Sequence, residues 1–261
     1  MRRKRLAIIL ASVLFASIIL ISLFLISTVR NVTVEYVCST QKTEQEIVAA
    51  KSRLEQYLGK NVFTVDEDAV KQFLADNPYV EVVSVKRKLP FGLNVSIKER
   101  EEAFCVLGDG RYYTLTKDCF VLAKGDVNAA RGDGLPHVLI DGDVFEGRAF
   151  EVNAFADVQE VMFSAAVKIL NAFTDVRNEL VSVTIDRYNE ESGSVQHNLW
   201  NRITVKTGEG AIFTVYEADK LTEEKIALLK RVYDHIYGED RVVGEFIVFE
   251  GENSTVDYEK L

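Results

Sequence analysis

Tyr79-Val80-Glu81-Val82-Val83-Ser84-Val85-Lys86-Arg87-Lys88-Leu89-Pro90-Phe91-Gly92-Leu93-Asn94-Val95-Ser96-Ile97-Lys98-Glu99 is the stretch on which the fold turns. Its second half alternates. Leu93, Val95 and Ile97 share one side and Asn94, Ser96 and Lys98 the other, a period of two that marks a strand with one buried face. Tyr79–Arg87 is a second, valine-rich strand, and Leu89-Pro90-Phe91-Gly92 supplies the turn that makes the pair a hairpin. Upstream, Asn77-Pro78 stops a helix, because the residue before a proline is pushed out of helical geometry. That helix starts at an Asp66 cap and turns Ala69, Val70, Phe73 and Leu74 inward. Before it, Ile47, Ala50, Leu54, Tyr57 and Leu58 mark one face of another helix, ended by Gly59. Thr43 and Glu46 have the spacing of a capping box at its start. Asn31–Val37 alternates through Val32, Val34 and Tyr36 as a third strand. Residues 30–101 therefore read as a β-α-α-β-β unit, a three-stranded sheet with two helices on one face. Leu93–Glu99 is expected at an edge of that sheet, open to a second partner, and Lys86, Arg87 and Lys88 beside the hairpin are candidates for anionic headgroups or cell-wall polymer.

The chain before this unit has a different character. Arg2, Arg3, Lys4 and Arg5 open it, and no charge follows from Leu6 to Ile26. Fifteen of those 21 residues are Leu, Ile, Val or Phe. At about 1.5 Å per residue the run spans about 31 Å, the thickness of a hydrocarbon core. A cleaved signal peptide has a shorter apolar core of about 7–15 residues and a small-x-small exit. Here the exit is Ser27-Thr28-Val29-Arg30. The expectation is an uncleaved anchor over 6–29, with residues 1–5 as a cytoplasmic arm and the bulk of the chain extracytoplasmic, since basic residues stay inside.

Downstream, 102–261 turns to short strands and hairpins with flanking helices. Strands are expected at Phe104–Leu107, Tyr112–Leu115, Phe120–Ala123, Leu180–Tyr188, Arg202–Thr207, Ala211–Tyr216, Glu245–Phe249 and Thr255–Tyr258. Asp157–Phe173 and Leu221–Tyr237 are amphipathic helices. The fold class is α+β: one N-terminal transmembrane helix, the small unit, then a larger β-rich domain.

Composition narrows the function. The 261 residues hold 31 basic and 40 acidic side chains, a net charge of −9, and without the four basic residues of the arm the remainder carries −13. That disfavours a nucleic-acid binder, which needs concentrated basic charge. Three cysteines do not make a disulfide framework in a chain this long, and which of Cys38, Cys105 and Cys119 pair, if any, is open.

Several motifs imitate enzymes. Ser39-Thr40-Gln41-Lys42 and Lys206-Thr207-Gly208 match two elements of penicillin-binding enzymes, but the S-x-N element between them is missing. Thr114–Cys119 approximates a sortase signature with one residue too many, and all three histidines follow Cys119 rather than precede it. Cys119 then reads as a small core residue. Arg131-Gly132-Asp133 is an integrin-type tripeptide in a polar loop, and Asp141-Gly142-Asp143 opens like a calcium loop until Phe145 takes a ligand position. The sequence points to no catalytic residue, cofactor or metal, and binding is the better class. A membrane-anchored envelope enzyme and a chaperone or export factor of related architecture are the alternatives.

One resemblance is more specific. Gly59-Lys60-Asn61-Val62-Phe63, Asn77-Pro78-Tyr79-Val80, Val85-Lys86-Arg87-Lys88-Leu89-Pro90 and Ile97-Lys98-Glu99-Arg100 follow the pattern G-x-N-h-F, P-h-V, V-x-R-x-L-P, I-x-E-R (h apolar). In order and spacing this resembles the POTRA domain of the FtsQ/DivIB bacterial cell-division proteins. The anchor before it and the β domain after it resemble that family's architecture. Where the family has Pro-Val-Ala after E-R, this chain has Glu101-Glu102-Ala103.

The resemblance implies a non-catalytic divisome component, enriched at the division septum. It implies binding of FtsL-type and DivIC/FtsB-type coiled-coil proteins and, through them, help in localising and regulating the septal peptidoglycan synthase. It also implies strand addition at the last strand of the β domain. The residues expected to carry that contact are Thr255, Val256 and Tyr258, with Phe246 and Val248 beneath.

Overall fold

The computed structural model describes residues 2–157, 161–188, 200–208, 210–236, 242–247 and 255–260. The chain divides into two compact units, Met1–Arg100 and Glu101–Leu261.

The first unit opens with α1 (Arg2–Ile26). It begins at the basic residues rather than at Leu6, because Arg and Lys are good helix formers. Its Ile9–Ile26 stretch has a mean hydropathy of 2.9, and none of it is buried by protein. By length and composition it can cross a membrane. The serines inside it do not oppose this: Ser12 and Ser17 donate to the Ile9 and Val13 carbonyls at 2.9 Å, satisfying their hydroxyls within the helix.

After α1 come β1 (Asn31–Val37), α2 (Gln41–Leu54), α3 (Glu67–Ala75), β2 (Val80–Lys88) and β3 (Gly92–Glu99). The sheet order is β1-β3-β2. Alternation along β3 is realised as read: Leu93, Val95 and Ile97 are buried against Ile47 and Leu54 of α2 and Val70 and Leu74 of α3. Asp66 caps α3, accepting from the N–H groups of Asp68 and Ala69 at 2.9 and 3.3 Å. Leu58 and Ala69, expected inward, are exposed.

Two sequence expectations fail here. Leu93–Glu99 is not an edge. β1 pairs with β3 in parallel from Asn31↔Gly92 to Val37↔Lys98, so β3 is the central strand and β1 and β2 are the edges. The hairpin alone leaves one side of β3 open; the strand that fills it lies some sixty residues earlier and returns through the two helices. The capping box at Thr43 is also displaced. α2 starts three residues earlier, with Thr40 as its N-cap accepting from Thr43 N–H at 3.3 Å. Thr43 is then buried inside the first turn, and the Glu46 carboxylate accepts from the Asn77 side chain at 2.5 Å.

Among the described residues the second unit holds one nine-stranded mixed sheet. In chain order its elements are β4 (Phe104–Gly108), β5 (Arg111–Leu115), β6 (Val121–Gly125), β7 (Val138–Gly142), α4 (Val161–Ala172), α5 (Val176–Glu179), β8 (Leu180–Tyr188), β9 (Trp200–Thr207), β10 (Ile212–Tyr216), α6 (Glu223–Ile236), β11 (Val242–Ile247) and β12 (Thr255–Lys260). Across the sheet the order is β12-β11-β10-β9-β8-β7-β4-β5-β6. The β4–β7, β7–β8 and β10–β11 pairs are parallel. Phe163, Ile169 and Leu170 of α4 and Ile226 and Leu229 of α6 join one core with Ile140, Val183, Ile185, Ile203 and Val215 of the strands. Phe173, just after α4, meets Tyr233 of α6 edge-to-face at 4.9 Å, and Phe145 meets Phe163 at 5.1 Å.

β7 was not expected from sequence. Its five residues carry too short an apolar run to declare themselves, and their strand conformation comes from parallel partners on both sides. It ends at Gly142, whose φ of +149° suits glycine. A Cβ there would stand 1.9 Å from the Ile185 carbonyl oxygen, so β8 passes where no side chain fits.

Candidate functional site

Four of the five expected contact residues fall on the last two strands, β11 and β12. β12 is the terminal strand in the order of the described residues and pairs only with β11, in antiparallel register from Val242↔Lys260 to Ile247↔Thr255. Thr255, Val256 and Tyr258 all lie on this edge strand, and Phe246 stands opposite Val256. Val248 and the turn at Gly251–Ser254 lie outside the described residues. The register continues inward from Val256 through Phe246 to Val215, Ile203 and Ile185, the last three fully buried. β12 is therefore anchored along a continuous row to the core, while its other side carries a line of backbone donors and acceptors without a strand partner among the described residues. An unpaired edge strand is the geometry that strand addition uses.

Residues of the enzyme-like motifs make internal contacts. Ser39 belongs to a clasp around the Glu99 carboxylate, which is 4% exposed. Ser39 donates through its N–H at 2.6 Å and its hydroxyl at 3.1 Å, and Thr40 through its N–H at 3.0 Å and its hydroxyl at 2.6 Å. Burial pushes the Glu99 carboxyl up, but bonds from the Thr40 and Thr43 hydroxyls and the Thr40 and Ser39 N–H groups outweigh it, holding the group below the usual carboxylate range. Arg100 beside it donates to the Pro78 and Val80 carbonyls, each at 2.8 Å. The E-R pair thus ties the end of β3 to the β1–α2 turn and to the start of β2. In the other unit, Thr207 is buried and its hydroxyl accepts from Ala211 N–H at 2.9 Å.

The remaining polar motifs are used internally as well. Asp133 takes a two-pronged pair from Arg177 at 3.1 Å on each arm, which holds its carboxyl below the ordinary range. Arg131 N–H donates to Glu102 at 2.8 Å. Glu102 also reaches the buried His137 Nε2 at 3.1 Å, and Asn128 pairs with both backbone groups of His137. Asp141 accepts from the Thr184 hydroxyl at 2.9 Å, and Phe145 is core. Cys38, Cys105 and Cys119 are free thiols. Burial pushes Cys105 and Cys119 up to about 12, which suppresses the thiolate that nucleophilic chemistry needs. Among the described residues no cluster of three or more His, Cys, Asp or Glu could hold a metal ion.

Sequence reading missed what the Gly59–Phe63 motif does. This loop runs antiparallel to the chain leaving α1. Val62 N–H donates to Ser27 O, Val29 N–H to Lys60 O and Gly59 N–H to Val29 O, all at 2.8 Å. The Asn61 side chain donates to the Phe24 carbonyl, and Phe63 stacks on Phe24 with ring centroids 5.7 Å apart. The signal was present as a motif, but only the fold shows that its partner is the end of the anchor helix.

Known proteins are consistent with this architecture. A family model for the FtsQ-type POTRA domain matches residues 27–100. The chain is 26% identical over 231 residues to the cell division protein DivIB of Clostridium botulinum strain Hall, covering 88% of this chain and 84% of that protein. It is 28% identical over 109 residues to DivIB of Clostridium tetani, spanning 40% of each. It is 25% identical over 172 residues to DivIB of Clostridium botulinum strain Loch Maree, spanning 66% of this chain and 63% of that one. The FtsQ-type domain, and a likeness to DivIB proteins that runs on into the β domain, together support the FtsQ/DivIB family of cell division proteins for this chain.

Proposed function

We propose that this chain is a non-catalytic, membrane-anchored component of the bacterial division machinery. Its N-terminus is cytoplasmic, its bulk extracytoplasmic, and it is enriched at the division septum. In this reading residues 30–101 are the POTRA domain and 102–261 a partner-binding β domain. β12 takes up an extended segment of an FtsL-type or DivIC/FtsB-type protein as an added strand, and that assembly helps localise and regulate septal peptidoglycan synthesis. The single observation behind the binding mode is the position of β12 at the end of the sheet, with Thr255, Val256 and Tyr258 along it. Each backbone bond gained contributes only about 0.5–1.5 kcal/mol net, so four or five such bonds give modest affinity and side chains must add selectivity. The test is co-purification of the full chain with the two coiled-coil proteins, with and without Val256→Pro. Loss of binding with an intact circular-dichroism spectrum supports edge pairing. Undiminished binding by the folded variant rejects it.

A further inference from the structure

The structure assigns to the anchor-side rim of the first unit a binding surface for anionic lipid headgroups, built from the 57–63 loop, the 88–91 hairpin tip and Arg30. The inference rests on the membrane-anchor reading of α1 and adds a second, surface contact to it.

Placement follows from backbone pairing. Phe24 lies in the last turns of the apolar stretch Ile9–Ile26, which at about 1.5 Å per residue spans about 27 Å and so nearly fills a hydrocarbon core. Phe63 stacks on Phe24, and Asn61 bonds its carbonyl. The loop is thereby held at the hydrocarbon boundary. The headgroup layer is about 5–7 Å thick on each side, and an extended chain rises about 3.3 Å per residue, so Ser27 to Val29 cross it. Lys60 bonds Val29 and lies at the same depth. The hairpin tip faces the same way. β1 and β3 are parallel with Asn31 opposite Gly92, so the residues just before Gly92 lie on the anchor side, as does Lys88, which pairs with Gly92. Arg30 N–H donates to Phe91 O at 2.8 Å, which fixes the tip to the chain four residues past the helix.

The chemistry of this rim fits an interface. Phe63 is 41% exposed beyond its stack on Phe24, and Leu89 is 59% exposed. The exposed cations Arg30 and Lys60 sit over aromatic faces, Arg30 4.2 Å from the Phe91 centroid and Lys60 4.6 Å from that of Tyr57. Aromatic rings and cations side by side are the residue types of membrane interfaces. Arg87, which the sequence grouped with its neighbours, is exposed but already partnered: it pairs with Glu67 at 3.4 Å and donates to Val65 O at 3.0 Å. Lys88 is exposed. Three cations near a negative surface each raise the population of the docked state about fivefold, acting against the net charge of −13 that the chain carries beyond its basic arm.

The test uses the full chain reconstituted in vesicles of phosphatidylcholine, with or without about 30% phosphatidylglycerol. The single tryptophan, Trp200, is replaced in a Trp200→Phe background. Reporters are introduced singly as Phe63→Trp, Leu89→Trp, Val83→Trp and Leu14→Trp. Val83 is exposed on β2, five residues and about 16 Å from Lys88, and serves as the distant control.

With nitroxide-headgroup lipid in anionic vesicles, the reporters at 63 and 89 are expected to lose about half their emission, and that at 83 about a tenth or less. The combined Arg30→Gln, Lys60→Gln and Lys88→Gln variant is expected to return the Leu89→Trp signal to its value in phosphatidylcholine alone. Reporters at 63 and 89 quenched no more than that at 83, while Leu14→Trp is quenched by lipids brominated in the acyl chains, overturn the rim and leave the anchor standing. Failure of Leu14→Trp to be quenched overturns the anchor itself. Quenching at 63 and 89 that ignores both phosphatidylglycerol and the triple variant overturns the anionic preference.

Discussion

Replacing Glu99 by Gln tests whether the E-R motif works as a clasp. Four hydrogen bonds of 3.1 Å or less converge on one buried carboxylate, beside the Thr43 hydroxyl: Thr40 Oγ1 on Oε1, and Ser39 N–H, Ser39 Oγ and Thr40 N–H on Oε2. Gln keeps one carbonyl oxygen and turns an NH2 toward donors, so at least one of the four loses its acceptor and the others lose their charge. Hydrogen bonds to charged groups contribute about 1.5–3 kcal/mol each and are not additive, so the expected loss is about 2–4 kcal/mol. The clasp joins β3 to the start of α2, and the effect should be local. Hydrogen exchange of the α2 amides, measured by mass spectrometry on the full chain in detergent, is expected to accelerate roughly 30- to 1,000-fold at neutral pH. The pH dependence has a definite sign. The folded carboxyl is held below its ordinary value, so its stabilisation is present above about pH 4.3 and is lost as pH falls through the folded value. The gap between the wild-type chain and Glu99→Gln should therefore close in acid. Exchange in the variant within about threefold of wild type at pH 7 refutes the clasp.

Three further outcomes are expected. Gly142→Ala places a Cβ 1.9 Å from the Ile185 carbonyl, with φ at +149°, and should cost more than about 3 kcal/mol or prevent folding of the β domain, read by thermal melting. Cys105 and Cys119, buried and with thiols pushed up to about 12, should resist a maleimide in the native chain, since on the order of 10⁻⁴ to 10⁻⁵ of each is thiolate at neutral pH. Cys38, partly exposed, should label first, and equal rates at all three would contradict the burial pattern. If its N–H lies on the open side of β12, Val256→Pro should weaken partner binding about tenfold or more, and a titration by isothermal calorimetry with the coiled-coil pair distinguishes this from no change.

The local parts of this fold were legible because their signals are local. The uncharged run Leu6–Ile26, the alternation of Leu93, Val95 and Ile97 and the Asp66 cap each carry their own periodicity or chemistry, and each appears where it was read. Strand order was not legible, because the alternation of β3 is the same whether β1 lies beside it or not; the parallel pair of Asn31 with Gly92 is a long-range contact. The start of α2 was read at Thr43, and the structure moves the cap to Thr40, whose hydroxyl is held by Glu99 fifty-nine residues later. β7 was invisible because five residues between parallel neighbours need no period of their own. A last strand at Thr255–Tyr258 was legible in the sequence, while its role as a binding edge came only from the family resemblance. That it ends a nine-stranded sheet follows only from the topology.

The measurement that bears most directly on the account is live imaging of an N-terminal fluorescent fusion in the source organism, which leaves β12 free. The account predicts a band at mid-cell that sharpens through constriction. A uniform rim throughout the cycle, from a fusion that supports normal growth, would contradict it.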